Sequence, residues 1–308
     1  MYKGLRIAAV VPAHNEAAHI KEVIVTMPDI VDVIAITDDL SSDETSEIAR
    51  SSGDARVIVT RHEKNTGVGG AIKTAHSIAL QQKCQINVVF AGDGQMDPDY
   101  LTRLLDPVVE GRYGYAKGNR LFSRTSHSGM PGYRVFGNYV LSYMHKAVSG
   151  YWHISDPQNG YTAIRADILN EINYETISGG YEFENDLLSR LNEFDIPVID
   201  VEIPARYRDE VSDIKLTTVI PALLKNFVVS YWGRMLRKHV LRNRIIPCVL
   251  LLLSAVGLGA AVIKIAQTHF VASALFFVLS ACSLSGVSIY DFLSEPKSWS
   301  QPRTFDQA

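Results

Sequence analysis

The sequence predicts an α/β domain with a mainly parallel sheet, followed by an interfacial helix and two transmembrane helices. Apolar strand-like segments alternate with helix-like segments over roughly the first two hundred residues. Polar turns follow three of the strands, and two long charge-free runs lie near the C-terminus. With 308 residues, the chain is long enough for one large or two ordinary domains.

The alternation in the first part of the chain defines the individual elements. Short apolar runs predict strands over residues 5–11, 31–37, 56–60 and 86–90, and intervening segments predict helices over 17–27, 42–51 and 70–81. Ser41 or Ser42 is the expected N-cap of the second helix. Strands that alternate with helices favour a parallel sheet with helices on both faces.

Polar turns follow the first, second and fourth of these strands. Their sequences are PAHNE at 12–16, TDDLSSDET at 37–45 and AGDGQMDPD at 91–99. Carboxyl ends of parallel strands share one edge of the sheet, where ligands bind in open α/β folds. Two interpretations of the third turn stay open: Asp93 and Asp97 bind a divalent cation, or Asp97 or Asp99 caps the next helix.

Composition and motifs exclude several classes of function. The net charge of −3 gives no case for nucleic acid binding, and the three cysteines lack disulfide or metal spacing. Neither GxGxxG after the first strand nor a Walker lysine motif is present, which disfavours a dinucleotide site. Carboxylates at Asp38 and Asp39 instead suit base and ribose hydroxyls, and Asp93 suits a metal-bound diphosphate. The pattern predicts a nucleotide-diphosphate donor site.

The C-terminal part predicts an integral membrane protein. Residues 245–263 and 270–290 carry no charge, and each is about the length that a helix needs to cross a bilayer. The flank at 225–244 has six Lys or Arg residues and no acidic one, which places it in the cytoplasm. Two buried core helices are the alternative.

These observations divide the chain into four regions. Residues 1–215 form a cytoplasmic domain. Residues 216–244 form an amphipathic basic helix region along the headgroup layer, with a plain core helix that leads into the membrane as the alternative. Residues 245–290 form a transmembrane hairpin, which returns the tail at 291–308 to the cytoplasmic side.

The motifs resemble a known family. VVPAHNE, ITDDLSSDET, NTGVGGAIKTA and DGQMDPD, in this order, are similar to motifs of the inverting glycosyltransferases of family 2. DPQNGYTAI, GGYEFENDLLSRL and EIPARYRDEVSDIK extend the likeness to the dolichol-phosphate mannose synthase and polyprenyl-phosphate glycosyltransferase branch, over about residues 5–220. The resemblance implies a GT-A, Rossmann-like domain that transfers a hexose from a UDP- or GDP-sugar to dolichyl or undecaprenyl phosphate with Mg²⁺ or Mn²⁺.

The resemblance also implies a donor site. Pro12, Ala13, Asn15 and Glu16 would form one wall of the base pocket, and Asp38 would accept a hydrogen bond from the base. Glycines would let the backbone approach the donor, and Lys73 would be a charge partner of the donor. Helix capping by Asp39 and Asp43 and a plain glycine turn remain alternatives. The implied nucleotide-binding residues are Pro12, Ala13, Asn15, Glu16, Asp38, Asp39, Gly67, Gly69, Lys73, Gly92 and Asp93.

The metal motif departs from the family pattern at one position. Relatives with a DxD sequence have an aspartate where this chain has Ala91. The metal therefore loses one expected ligand and keeps Asp93, with the Gln95 side chain, the diphosphate and water to complete its shell.

A lipid monophosphate acceptor is already anionic, so the enzyme does not require a strong general base. It must instead supply cations that hold the phosphate. The resemblance assigns this task to Arg120, Arg134 and either Arg206 or Arg208, of which Arg208 is preferred, because guanidinium binds phosphate in a bidentate manner. Asp156 would orient a sugar hydroxyl or act as a base, and Glu182 and Glu184 would line the sugar end. Surface arginines, a turn aspartate and helix-start acids are the alternatives.

Two other functions stay open: a processive polysaccharide synthase, although its QxxRW motif is absent, and a non-catalytic membrane scaffold, which Ala91 would favour. The sugar, the nucleotide, the polyprenol length and the oligomeric state, including a homo-oligomer, are not determined by the sequence.

Overall fold

The computed structural model describes residues 1–120, 142–156, 159–180, 182–204, 229–240, 245–266 and 270–294. Structural statements below refer to these ranges. Arg134, Arg206 and Arg208 lie outside them, so their predicted role in acceptor binding stays a prediction.

Within the described ranges, seven strands form one sheet in the order β3-β2-β1-β4-β6-β5-β7. The neighbours β3, β2, β1 and β4 are parallel, β6 is antiparallel to both β4 and β5, and β7 is parallel to β5. The predicted α/β fold with a mainly parallel sheet is confirmed. The strands are β1 Ile7–Ala13, β2 Val33–Asp38, β3 Val57–Arg61, β4 Ile86–Val89, β5 Tyr115–Asn119, β6 Thr162–Arg165 and β7 Val198–Glu202.

Helices cover both faces of the sheet. Alternate residues of β1 point to opposite faces, so Ile7 and Val11 join one core cluster, whereas Ala8 and Val10 join the other. The helices are α1 Ile20–Val25, α2 Thr45–Arg50, α3 Gly67–Gln81, α4 Leu101–Val109, α5 142–149, α6 Ala166–Glu171, α7 Phe183–Glu193, α8 229–235 with a π-helical continuation Leu236–Val240, α9 Ile245–Ala266 and α10 Phe270–Ser294.

The start of α2 agrees with the alternative in which Asp43 is the capping residue and differs from the expected cap at Ser41 or Ser42. Neither Ser41 nor Ser42 caps this helix; instead, Asp43 Oδ1 accepts hydrogen bonds from the backbone N–H and hydroxyl of Thr45. The Ser41 hydroxyl accepts a hydrogen bond from Asn15 N, and the backbone N–H and hydroxyl of Ser42 donate to Asn15 Oδ1. The sequence correctly indicated a cap within this turn. The hydroxyls of Ser41 and Ser42, however, join the second polar turn to the first one at Asn15.

The carboxyl ends of β1, β2 and β4 meet at one edge, as predicted. Ala13 is the register partner of Asp38, and Val10 that of Val89. Backbone hydrogen bonds continue past the strands, from Gly92 N to Pro12 O at 3.1 Å. The three polar turns therefore lie side by side.

Basic residues of α8 contact the α/β domain. The buried Arg234 guanidinium donates to the carbonyls of Ala147 and Val148 at the end of α5, at 2.8 and 2.6 Å, and to Asn192. Arg237 pairs with Glu193 at 2.7 Å, so α8 is fastened to the end of α7 as well. These side chains of the basic flank are engaged with protein.

The other side of α8 packs on the C-terminal helices. Met235 forms a small core with Leu251 of α9 and Val287 of α10, and the hydroxyls of Ser254 and Ser280 lie 3.0 Å apart between the two helices. Among the described residues, no helix combines the length and apolar character needed to cross a membrane. The two predicted spans therefore stay a prediction.

Candidate active site

A cavity of about 430 Å³ opens at the edge where the strands carry their polar turns. The loop after β4, the end of β5, the segment before β6, the start of α7 and the chain after β7 all contribute to its walls. The lining residues are Val68, Ala91, Asp93, Gln95, Met96, Asp97, Arg120, Asn159, Gly160, Tyr161, Glu184, Ile203 and Pro204.

The loop after β4 both lines the cavity and caps the next helical turn. Asp93 Oδ1 accepts a hydrogen bond from Gln95 N at 2.9 Å. Asp97 accepts from Asp99 N at 3.0 Å and is the N-cap of the turn Pro98–Tyr100, as one interpretation predicted. Gly92 packs against the first turn, since a Cβ there would lie 3.1 Å from Ala13 Cβ.

The donor atoms of this loop fit a metal that takes most of its ligands from substrate and water. Asp93, Gln95 and Asp97, whose side chains carry oxygen atoms, all line the same cavity. Ala91 adds none, and its N–H lies 3.1 Å from Met96 Sδ. Within the described ranges, no group of three His, Cys, Asp or Glu side chains could hold a metal by itself. A hard cation with diphosphate oxygens as further ligands is compatible with this set.

Asp38, predicted to bind the base, is fully buried at the end of β2. It accepts hydrogen bonds from Ser41 N at 2.7 Å and from the Ser46 hydroxyl. Arg61 Nε lies 3.7 Å from its Oδ2. In this arrangement, the carboxylate holds the second polar turn in shape.

Asp39 organises the start of α3. Its oxygens accept from Thr66 N and Gly67 N, both at 2.8 Å, and Oδ1 lies 2.7 Å from His62 Nδ1. Burial would raise the pKa of Asp39, but the hydrogen bonds from His62, Thr66 and Gly67 outweigh it and lower the pKa. The carboxylate is therefore ionised and directs the NTGVGG loop.

The glycines of that loop allow close contact with a second glycine segment. Gly67 has a φ of +80°, and a Cβ there would lie 2.8 Å from Gly179 O. A Cβ at Gly69 would lie 2.8 Å from Phe183 Cβ. These glycines thus join the start of α3 to the start of α7, and Val68 between them reaches the cavity.

Lys73 lies on α3, facing the turn that precedes α7. Its ammonium donates to the carbonyl of Glu175 at 3.0 Å and to that of Ile177. Two of the three ammonium donors are thus used within the protein, and the predicted charge contact of Lys73 with the donor stays a prediction.

The predicted base-pocket wall forms the turn between β1 and α1. Pro12 and Ala13 contact Gly92 behind the cavity. Asn15 adopts a φ of +59°, and its Oδ1 accepts from Ser42 N at 2.7 Å. Glu16 N donates to Thr45 Oγ1 at 2.8 Å. The wall is thereby fixed to the turn that carries Asp38 and Asp39.

Arg120 and Asp156 form a bidentate pair at the cavity. Arg120 Nε and Nη2 donate to the two carboxylate oxygens of Asp156 at 2.8 and 3.1 Å, and Arg120 N adds a third hydrogen bond. Asp156 is buried, whereas the Arg120 side chain remains 38% exposed and lines the cavity. Sequence reasoning selected both residues without predicting their contact.

Sequence reasoning missed two buried charges beneath the cavity, Lys117 on β5 and Asp200 on β7. Burial raises the pKa of Asp200 to about 7, even though Ser155 N donates to its carboxylate. Burial also raises the pKa of Glu184, which the charge of Lys117 partly offsets. The available signal was a charged residue at the centre of each of two short strand segments, Lys117 in YAKGN and Asp200 in VIDVE.

Glu182 and Glu184 occupy different positions, although both were expected at the sugar end. Glu184 lines the cavity, whereas Glu182 Oε1 accepts a hydrogen bond from the Ser178 hydroxyl at 2.6 Å. Glu182 therefore fixes the glycine turn before α7.

A family comparison agrees with this arrangement. The model of the family described as "Glycosyl transferase family 2" matches residues 8–172, which include the three polar turns and Arg120. The chain belongs to glycosyl transferase family 2.

Curated relatives of this glycosyltransferase include lipid-phosphate enzymes. The UDP-N-acetylglucosamine–dolichyl-phosphate N-acetylglucosaminyltransferase of Methanococcus voltae is 28% identical over 212 residues, 62% of this chain and 84% of that protein. The undecaprenyl-phosphate mannosyltransferase of Micrococcus luteus is 27% identical over 248 residues, 78% of this chain and 99% of that protein.

Solved structures share the GT-A-like fold. The glucosyl-3-phosphoglycerate synthase of Mycobacterium tuberculosis, in complex with Mn²⁺, UDP-glucose and phosphoglyceric acid, matches with a TM-score of 0.55. The two proteins are 20% identical over 75% of this chain and 80% of that one. The same synthase has also been solved with Mg²⁺ and UDP.

Proposed function

We propose that this family 2 glycosyltransferase moves a hexose from a UDP- or GDP-sugar to a polyprenyl phosphate at the cytoplasmic face of a membrane. One observation carries the proposal: a single cavity presents Asp93, suited to a metal-bound diphosphate, together with Arg120, suited to an acceptor phosphate. The names of the relatives support the acceptor, since they include dolichyl phosphate and undecaprenyl phosphate, and one of them also names a UDP-sugar.

The donor would bind along the polar turns. The wall at Pro12 and Ala13, held by the turn at Asp38 and Asp39, would contact the nucleotide, and its diphosphate would reach Asp93. Mg²⁺ or Mn²⁺, held there by Asp93 and Gln95, would neutralise charge on the leaving nucleoside diphosphate. Arg120, which also lines the cavity, would help to balance the negative charge of the substrates.

The acceptor chemistry follows from the charge of the phosphate. A phosphate oxygen attacks the anomeric carbon while the bond from that carbon to the donor diphosphate breaks, which inverts the configuration. The acceptor oxygen carries no proton at neutral pH, so no proton has to be removed. Arg120, already oriented by Asp156, would hold this phosphate in line with the donor sugar.

The membrane attachment is part of the same proposal and draws on the C-terminal helices. Large apolar side chains are exposed on both α9 and α10, which is unusual for a surface in water. A lipid environment would cover them and bring a polyprenyl chain close to the cavity. The side chains that are more than half exposed are Ile245, Ile246, Leu252, Leu253, Val256, Leu275, Val278, Leu279, Ile289 and Leu293.

We expect the full chain to remain in the membrane pellet after alkaline carbonate extraction, because that apolar surface would be buried in lipid. Lysine at both Leu252 and Val256, which are 65% and 62% exposed on one side of α9, should weaken retention. Lysine at Val25, an exposed residue of α1, is the matched control. Release of the unmodified chain by carbonate would contradict membrane insertion.

A transfer assay tests the enzymatic proposal. Purified full-length protein with Mg²⁺ or Mn²⁺ should move label from one member of a UDP- and GDP-sugar panel into a chloroform-soluble, acid-labile product when polyprenyl phosphate is present. Addition of EDTA should stop the reaction. A long water-insoluble glycan would instead indicate a processive synthase, and absence of transfer with every donor would favour the non-catalytic scaffold that Ala91 suggests.

A further inference from the structure

Lys117 is a buried lysine beneath the cavity, and the proposed chemistry assigns it no role. It lies in the middle of β5, and its side chain has no exposed surface. Its ammonium donates a hydrogen bond to the carbonyl of Asn159. A buried ammonium is unfavourable unless neighbouring groups compensate it, so its surroundings bear on its role.

Carboxylates from three parts of the chain act on the pKa of this ammonium. Burial lowers the pKa of Lys117, whereas Glu184 on α7, Asp156 before β6 and Asp200 on β7 raise it. The charge of Arg120, which directly follows β5, lowers the pKa of Lys117, as burial does. In return, Lys117 lowers the pKa of Glu184 and of Asp200, both of which burial raises. Burial lowers the pKa of His145 on α5, and the charge of Lys117 lowers it further.

The backbone around Lys117 is packed directly under the cavity wall. Lys117 is the register partner of Asp200 on one side and of Thr162 on the other. Next to it, Gly118 N donates to Tyr161 O at 2.8 Å, and a Cβ at Gly118 would lie 2.8 Å from the Asn159 amide. β5 therefore supports the segment 159–161, all of which lines the cavity.

We propose that Lys117 is a positioning residue for sugar transfer: it holds the Asn159 carbonyl and supplies the buried positive charge shared by Glu184, Asp156 and Asp200. The inference rests on the proposed function, because it assigns the sugar end of the same cavity. Lys117 itself does not touch the substrate. Without its charge, Glu184 would gain a proton more easily, and the wall at 159–161 would lose its support.

The test contrasts charge with shape. Lys117→Met keeps the approximate shape and removes the charge, whereas Lys117→Arg keeps the charge and changes the shape. For Lys117→Met, we expect kcat to fall by about a hundredfold, as for a displaced catalytic group. The Kd of the free nucleoside diphosphate should stay near the wild-type value, because the polar turns that bind it are unchanged.

The pH profile provides a readout that packing alone would not change. Lys117 lowers the pKa of Glu184, so removing Lys117 raises that pKa and Glu184 ionises only at higher pH. The acidic limb of the kcat profile should therefore move to higher pH in Lys117→Met and stay near its wild-type position in Lys117→Arg. If Lys117→Met alone fails to fold, the double variant with Asp200→Asn removes an opposing carboxyl and carries the same test.

Arg56→Met is the matched control. Arg56 is also a cation that donates to backbone carbonyls, those of Pro28 and Met27, but it lies at the opposite edge of the sheet. Its loss should lower thermal stability without moving the pH profile. The proposal is overturned if Lys117→Met behaves like Arg56→Met, or if it is more active than Lys117→Arg with an unshifted profile.

The same variants separate this inference from the proposed function. If wild-type protein transfers no sugar, the proposed function fails, and the role of Lys117 is judged from binding of a nucleotide sugar across the pH range. A shift of that binding profile in Lys117→Met supports the charge role at the cavity. Identical profiles for wild type and Lys117→Met reject it.

Discussion

Asp93→Asn should lower the rate of sugar transfer on the order of a thousandfold, because it removes the negative charge that holds the metal at the leaving diphosphate. Ala91 makes this loss larger, since no second motif carboxylate stands two residues earlier. Asparagine keeps an oxygen that can accept from Gln95 N, so the loop should retain its hydrogen bond. The measurements are steady-state transfer and nucleotide binding with and without Mg²⁺.

Asp99→Asn is the control for this variant. Asp99 belongs to the same loop and is exposed. Its backbone N–H donates to Asp97, and the substitution keeps this hydrogen bond. Its replacement should leave transfer unchanged, with unfolding free energy within about 0.5 kcal/mol of wild type for both variants. Wild-type turnover by Asp93→Asn at saturating donor and metal would remove Asp93 from the metal site.

The fold was largely predictable because its central strands are buried on both faces. Such strands appear in the sequence as continuous apolar runs, and β1, β2 and β4 each end at a polar turn. The loop containing Asp93 was predictable for the same reason, since it directly follows a buried strand. The cap of α2 was not, because Ser41, Ser42 and Asp43 are all good capping residues and only the packed turn at Asn15 selects among them.

The partners of charged side chains were the least predictable part of the site. Arg120 and Asp156 are 36 residues apart, and they meet because β6 lies beside β5 in the sheet. The same limit applies to α8. The sequence shows that this flank is basic, but it does not show which surface the basic side chains contact. In the structure, Arg234 binds the end of α5. Long-range topology determines these contacts.

Arg120→Ala should lower kcat/KM for polyprenyl phosphate about tenfold to a hundredfold, because a bidentate contact to an anion contributes roughly 1.5–3 kcal/mol. Binding of the nucleotide sugar without acceptor should stay near wild type, since the metal neutralises the donor diphosphate. Arg120→Lys should recover only part of the activity, because an ammonium cannot reproduce the planar fork. Arg165→Ala, which removes an exposed arginine paired with Asp167, is the matched control and should have little effect.

The pairing with Asp156 allows the structural and functional roles of Arg120 to be separated. Arg120→Ala leaves the buried Asp156 carboxylate without its guanidinium, which should cost about 2 kcal/mol of unfolding free energy. Adding Asp156→Asn removes the buried charge, so the double variant should regain stability. Acceptor use should not return, because the phosphate still lacks its cation. Recovery of both properties together would mean that Arg120 serves only to balance Asp156, and the acceptor site would then lie with other residues.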